Sequence, residues 1–322
     1  MEPILHRDAR HHDLSSKQLR GPGFAHPVAG VAVLAADRDD VAVRSRAALA
    51  VLPVGTVVTH LTAARLRGWW LPHLTDEPVI VCTDSTAPHH DRRGVYVRRC
   101  GIPARHRTAL QGIAVASPEW TIIELAETLS FLDLVVVIDS ALACGDLTLD
   151  SLRTSLVPGR RGVRNLRKAL LYCDGRSQSP GESVLRLVHT LVGIPVDVQA
   201  EYRDDDGTLL AMVDLRVRGT QYAPEYDGAP HRDAATHRRD LRRERLLHAL
   251  GVRRAGFTLT EIRQQTDEIV RAAAAALGRP WAFSAADVRP EIDRSSITRA
   301  GMAGLERRMR RFARPTPPRR TA

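Results

Sequence analysis

Val213-Asp214-Leu215, followed by Ala223-Pro224-Glu225-Tyr226-Asp227-Gly228-Ala229-Pro230-His231, decides how this chain is read. The first piece sets one carboxylate in an apolar strand pattern. The second sets two more at i and i+2 on the next such segment. Side chains alternate faces along a strand, so Glu225 and Asp227 project to the same side. Asp214 lies nearby if the two segments pair. An arginine-rich helix follows just beyond. Three carboxylates converging near a basic helix suit a divalent metal beside a phosphate, so phosphodiester hydrolysis is the leading expectation.

Working outward, the segments around this stretch define a domain. Asp174-Gly175-Arg176-Ser177-Gln178-Ser179-Pro180 marks a shift in composition and the best boundary. After it, Pro180 to Gly193 carries apolar residues at 184, 185, 187, 188, 191 and 192, the spacing of an amphipathic helix with Glu182 in its first turn. Val196 to Tyr202, the acidic turn Asp204-Asp205-Asp206-Gly207 and Leu209 to Val217 read as a hairpin. Gln221 to Asp227 is a third strand, residues 232 to 250 a charged helix, and Val252 to Leu259 a further short strand. The order helix, strand, strand, strand, helix, strand predicts an α/β or α+β domain.

Upstream, Val28 to Leu34 reads as a strand, residues 41 to 52 as a helix ended by Pro53, and Thr59 to Leu66 as another, with Thr59 or Thr62 as N-cap. Pro78 to Cys82 and Gly94 to Arg98 alternate as strands around a polar turn, Thr83 to Arg93. Ser117-Pro118-Glu119 opens a helix with proline near its first position. Helices then follow over 131 to 143, Leu147 to Leu156 and Gly162 to Tyr172. In the tail, Leu305, Met309 and Phe312 share one helical face before Pro315 and Pro317-Pro318 end it. With Arg319-Arg320 the tail reads either as a DNA-contacting arm or as a solvated terminus.

Bulk composition narrows the partners. The net charge is +10, and all but two of the 47 basic residues are arginine, Lys17 and Lys168 being the exceptions. Arginine forks onto phosphate oxygens, which favours a polyanionic partner such as nucleic acid. Arginine-rich and alanine-rich coding in a GC-rich genome accounts for the same bias but not for where the arginines cluster. Aromatics make up only 4%, against recognition by stacked bases. Cys82, Cys100, Cys144 and Cys173 lack metal-ligand spacing and suit a reduced cytosol. No secretory signal opens the chain, and Phe131 to Ala143 is too short to span a bilayer, so a cytoplasmic protein with no membrane role is expected.

The chemistry assigns roles. Asp214, Glu225 and Asp227 are the candidate ligands of Mg²⁺ or Mn²⁺. Glu182 completes the shell or orients a water, and His231 serves as proton shuttle or leaving-group acid. Arg239, Arg242 and Arg243, with Asp240 on the same helix, line a phosphate track. Each residue also has a structural reading. Asp227-Gly228 is a common turn pair, and Glu182 favours any helix N-terminus. Asp214 is harder to explain so, because it interrupts an apolar strand.

Glu182-Ser183, Leu185-Arg186, Gly193-Ile194-Pro195, Gln199, Val213-Asp214-Leu215, Glu225-Tyr226-Asp227-Gly228, His231, Asp240 and Arg243 follow the order of a recognisable domain. Over residues 178 to about 262 the chain resembles the uncharacterised bacterial domain related to the very-short-patch-repair (Vsr) endonuclease, in the PD-(D/E)XK nuclease-like superfamily. A looser match over residues 14 to 172 is similar to AbiEi-type antitoxins of abortive-infection systems. It is carried by Leu19-Arg20-Gly21-Pro22, Gly30-Val31, His60 to Leu66, Ser117-Pro118 and Thr121 to Ala126. The resemblance implies an eroded winged-helix-like α+β region over 1–105, a helical middle over 106–174, a restriction-endonuclease-like α/β domain over 175–285, and a basic tail over 286–322. It makes Glu182, Asp214, Glu225 and Asp227 the acidic centre, with His231 and Asp240 as auxiliaries. Two positions depart from the pattern. The superfamily's usual lysine, two residues after the second acid, is Asp227 here. Pro224 stands where an apolar residue is expected and removes a ladder hydrogen bond.

Three functions follow from these readings. The first is a Mg²⁺-dependent DNA endonuclease of a defence or repair type. The second is a non-catalytic DNA-binding regulator or antitoxin with a toxin protein as partner. The third is a catalytically dead adaptor that recognises another protein.

Overall fold

The computed structural model describes residues 2–75, 77–84, 92–228, 234–280 and 282–310, with only the helical backbone described from 234 to 241. The chain divides into two compact units. Met1–Thr128, Leu147–Val163 and Leu305–Ala322 form one, and Leu129–Asp146 with Arg164–Gly304 form the other. The stretch 106–174 is therefore shared between them. Helices and several small sheets make the protein a mixed α+β fold.

In the first unit Val31–Leu34 lies between Ile4–Leu5 and Phe24–Ala25 in a small antiparallel sheet. The helical pieces described before that strand are a 3-10 segment, His6–His12, and the four-residue Ser16–Leu19. A second sheet runs in the order Val95–Arg99, Val79–Thr83, Val57–Val58, Ile113–Ala116, Arg107–Leu110. The segments Val79–Thr83 and Val95–Arg99 are neighbours and run parallel. Valines at 31, 33, 58, 79, 81, 95 and 115 meet between the sheets and the helix Val41–Leu49, whose start Asp40 caps through Ala42 and Val43 N–H.

Thr59 holds the N-cap position of the helix His60–Leu66, but its side chain makes no capping hydrogen bond. The Thr59 hydroxyl donates instead to the buried Glu124 carboxylate, and the Thr62 hydroxyl accepts the Ile80 N–H at 2.9 Å. Ser117 does cap Pro118–Leu125, with Pro118 in the first turn where its missing N–H costs nothing. Leu305 and Met309, read as sharing a face, are both buried in the helix Arg299–Met309. Phe312 and the rest of the tail to 322 lie outside the described residues.

In the second unit the helix Phe131–Ala143 is buried along eleven consecutive residues, including two aspartates. Each aspartate has a dense set of donors. Asp139 accepts from the Ser183 hydroxyl at 2.7 Å, Arg186 Nη2 at 2.6 Å and the Asp174 N–H at 2.9 Å. Asp133 accepts from the hydroxyls of Ser130, Ser295 and Ser296 at 2.7, 2.6 and 2.8 Å. These bonds allow carboxylates in so apolar a helix, because a buried charge is tolerated only when paired and hydrogen-bonded. No helix among the described residues is long and apolar enough to cross a membrane.

The helix Pro180–Thr190 follows, capped by Ser179. Val196–Arg203 and Leu209–Val217 then form an antiparallel hairpin in which Ala200 faces Val213 and Val198 faces Leu215. The strand Tyr222–Tyr226 leads through the helix Ala234–Ala249 to Arg253–Phe257, which pairs with it in parallel. Three further helices, Leu259–Gln264, Thr266–Ala276 and Arg289–Arg294, follow in this unit.

Asp139→Ala removes the carboxylate and leaves the Arg186 guanidinium, 4% exposed, buried without its counter-charge. Breaking one partner of such a pair costs about 3–5 kcal/mol. Urea unfolding should show that loss; a cost within about 0.5 kcal/mol, the range of ordinary surface substitutions, would contradict it.

Candidate functional site

The C-terminal end of the strand Tyr222–Tyr226 gathers the acidic residues, and Pro224 determines how. In this strand, Asp227 N–H reaches Phe257 O and Arg253 N–H reaches Gln221 O, which are bonds to the parallel neighbour. Positions 222, 224 and 226 direct their amides to the opposite side. There Tyr222 N–H finds the Thr220 hydroxyl, Pro224 has no N–H, and Tyr226 N–H donates to Asp214 Oδ2 at 2.8 Å. The hairpin and the parallel pair are accordingly two separate two-stranded sheets. A carboxylate takes the place of a ladder carbonyl. The sequence placed Asp214 nearby if the two segments pair; they lie in separate sheets, and Asp214 reaches the strand through its side chain instead.

Glu225, two residues C-terminal to Arg254's ladder partner Ala223, is buried at 3% exposure. Both of its oxygens are held. Arg243 Nη2 donates to Oε1 and Arg243 Nη1 to Oε2 at 3.2 Å, while Arg254 Nε also donates to Oε2. Arg243 Nη2 further donates to Met212 O at 2.8 Å, and Arg254 Nη2 to Asp227 Oδ1 at 2.7 Å. Arg254 thus spans Glu225 and Asp227. Burial works against its charge, but the hydrogen bond and charge of Glu225, and then the charge of Asp227, outweigh that and hold its pKa above the ordinary value.

Two glycines make the approach possible. A Cβ on Gly256 would lie 1.8 Å from Asp227 Oδ2, and a Cβ on Gly181 would lie 2.3 Å from the Tyr226 ring. The second contact seats the first turn of Pro180–Thr190 against the strand. Glu182 in that turn accepts at Oε2 from the Gln178 N–H and from Gln199 Nε2, both at 2.8 Å. Gln199 itself has φ +50 within a strand, a conformation that side-chain-bearing residues adopt at a cost of about 1–3 kcal/mol and that clusters at functional sites.

Asp214 records the field. Burial raises its pKa, the Tyr226 N–H opposes, and the charges of Glu182 and Glu225 raise it further, to about 6. Four carboxylates, Glu182, Asp214, Glu225 and Asp227, share the site with two guanidiniums, Arg243 and Arg254.

The expected metal ligands Asp214, Glu225 and Asp227 all lie at this site. Among the described residues no three His, Cys, Asp or Glu side chains are grouped to hold an ion. Glu225, the central member of Asp214, Glu225 and Asp227, spends both oxygens on guanidiniums, so Mg²⁺ or Mn²⁺ does not fit this arrangement. A cation would have to displace two guanidiniums and their three charge-assisted hydrogen bonds. Arg243, placed on a phosphate track from the sequence, turns inward to Glu225. Arg242 is exposed. His231 and the side chains of Arg239 and Asp240 lie outside the described residues.

Arg254, Gln199 and Gly256 were not among the expected site residues. Arg254 had one visible signal, a second consecutive arginine inside a short strand. Gln199 is one of the residues that carry the resemblance, but its positive φ is not written in residue type when the residue is neither glycine nor asparagine.

No protein-family model matches the chain. It is similar to two uncharacterised proteins, from two strains of Mycobacterium tuberculosis, each 27% identical over 242 residues that cover 72% of this chain and 86% of the relative. No solved structure matches it.

With the folded pKa of Asp214 at about 6 and the ordinary value at 3.8, the folded unit holds that proton more tightly than the unfolded chain. The resulting stability is complete below pH 3.8 and is lost as pH rises through about 6. Asp214→Asn cannot ionise, so across that window its stability rises relative to the unsubstituted protein, by at most about 3 kcal/mol. Urea midpoints for the two proteins over that pH range check this; parallel curves would refute it.

Proposed function

We propose that this chain is a non-catalytic DNA-binding regulator whose second unit is built on a nuclease-like scaffold. The observation that carries the reading is the closure of Glu225 by Arg243 and Arg254. Phosphodiester hydrolysis on a carboxylate-held ion needs carboxylate oxygens free to bind it. Here the central carboxylate is neutralised by the protein itself.

Several features support the rest of the reading. The element order of the second unit, helix, antiparallel hairpin, then two parallel strands joined by a helix, suits a restriction-endonuclease-like domain. The arginine-based net charge of +10 suits a phosphate backbone. Arg242 and Arg245, exposed on the helix Ala234–Ala249, are the described side chains of that helix best placed to meet it. Fold alone does not establish activity, so the reading rests on the chemistry of the site.

The full chain should be incubated with supercoiled plasmid, single-stranded DNA and RNA, each with Mg²⁺, Mn²⁺ or EDTA, with Asp214→Ala beside it. The expected result is retention of plasmid in a gel shift that weakens with salt, and intact nucleic acid in every arm. Metal-dependent cleavage that Asp214→Ala lacks would overturn the regulator reading in favour of an endonuclease. Failure to retain any nucleic acid would overturn both.

A further inference from the structure

The first unit holds two thiols in contact. Cys82 lies near the end of Val79–Thr83, and Cys100 directly follows Val95–Arg99, its parallel neighbour. The Cys100 N–H donates to Thr83 O at 3.2 Å, continuing the ladder past the strand end. The two Sγ atoms are 2.7 Å apart. That is closer than the van der Waals separation of two sulfurs and within reach of the disulfide bond length of about 2.05 Å. Cys82 Sγ also lies 2.8 Å from Cys100 O, and Cys100 Sγ 3.7 Å from Glu124 Oε1.

The surroundings are those of a reactive pair. Cys82 is 2% exposed and Cys100 is half-buried. Glu124, fully buried, pairs with Arg98 Nη1 at 3.2 Å. The hydrogen bond from Cys100 lowers the Cys82 pKa most, with burial and the Glu124 charge opposing it and Arg98 assisting. The same bond, then burial, raises the Cys100 pKa. When Cys82 loses its proton, the hydrogen bond from Cys100 stabilises the thiolate, the nucleophilic form.

We propose that Cys82 and Cys100 are a modification site at which peroxide installs a reversible disulfide joining the ends of two neighbouring strands. One sulfur attacks the O–O bond and becomes a sulfenic acid, and the departing hydroxide leaves as water with that thiol's proton. The other sulfur attacks the sulfenic sulfur, the S–S bond forms, and the sulfenic hydroxyl leaves as a second water with the second thiol's proton. Two thiols lose two electrons and two protons, and one peroxide becomes two waters. The balance is the same whichever sulfur is oxidised first. A low-molecular-weight dithiol reverses it by exchange.

Hydrogen peroxide treatment of the full chain, followed by thiol titration and a non-reducing tryptic map, tests the proposal. The four thiols should fall to two, with the Cys82 and Cys100 peptides linked and dithiothreitol restoring both. Cys144→Ser should leave the link intact. Cys100→Ser should abolish it and leave Cys82 as a sulfenic acid trapped by dimedone. Peroxide-treated unsubstituted protein in which these peptides stay unlinked, carry only higher oxides, or are joined to Cys144 or Cys173 overturns the proposal, whether or not the serine variants fold.

Discussion

The buried Glu225 carboxylate, clasped by Arg243 and Arg254, is the interaction on which the second unit depends. It joins three elements at one point: the strand Tyr222–Tyr226, the helix Ala234–Ala249 and the strand Arg253–Phe257. A carboxylate at 3% exposure would be untenable without those cations, and each guanidinium in turn fixes its own element. Arg243 also ties the helix to the hairpin through Met212 O, and Arg254 draws in Asp227. The charges that would make a metal site have been spent on holding the fold.

The carboxylates could be read from the sequence, and their cations could not. Alternation along a strand placed Glu225 and Asp227 on one side, where Arg254 indeed bridges them. The arginine partner could not be found the same way, because it depends on the parallel register that sets Glu225 opposite Gly256 and Ala223 opposite Arg254. Register across a helix crossover is a tertiary property. Pro224 was visible as a break in a ladder. That Asp214 would supply the missing acceptor at Tyr226 was not, since it needs the hairpin and the parallel pair to separate at that point.

The first unit shows the same limit in another form. The helix opened by Ser117-Pro118-Glu119 was legible, whereas Asp40, which caps Val41–Leu49, was not singled out. The hairpin Arg107–Leu110 and Ile113–Ala116 went unread because its turn is Gln111-Gly112, with φ of +50° and +75°, rather than the asparagine-glycine or aspartate-glycine pair that advertises two left-handed residues. Thr59, one of two threonines read as the cap, holds that position, yet its hydroxyl serves the buried Glu124, which no local pattern reveals. Periodicity finds elements; it does not find the polar partners that a folded interior brings from distant segments.

Calorimetric titration with Mn²⁺ tests the central claim most directly, using the unsubstituted full chain, Arg254→Ala, and Arg254→Ala combined with Glu225→Gln. The clasp account predicts that no Mn²⁺ site dependent on Glu225 is measured until Arg254 is removed, and that Glu225→Gln then abolishes it. A Mn²⁺ site in the unsubstituted chain that Glu225→Gln alone eliminates would contradict the account and return the carboxylates to metal chemistry.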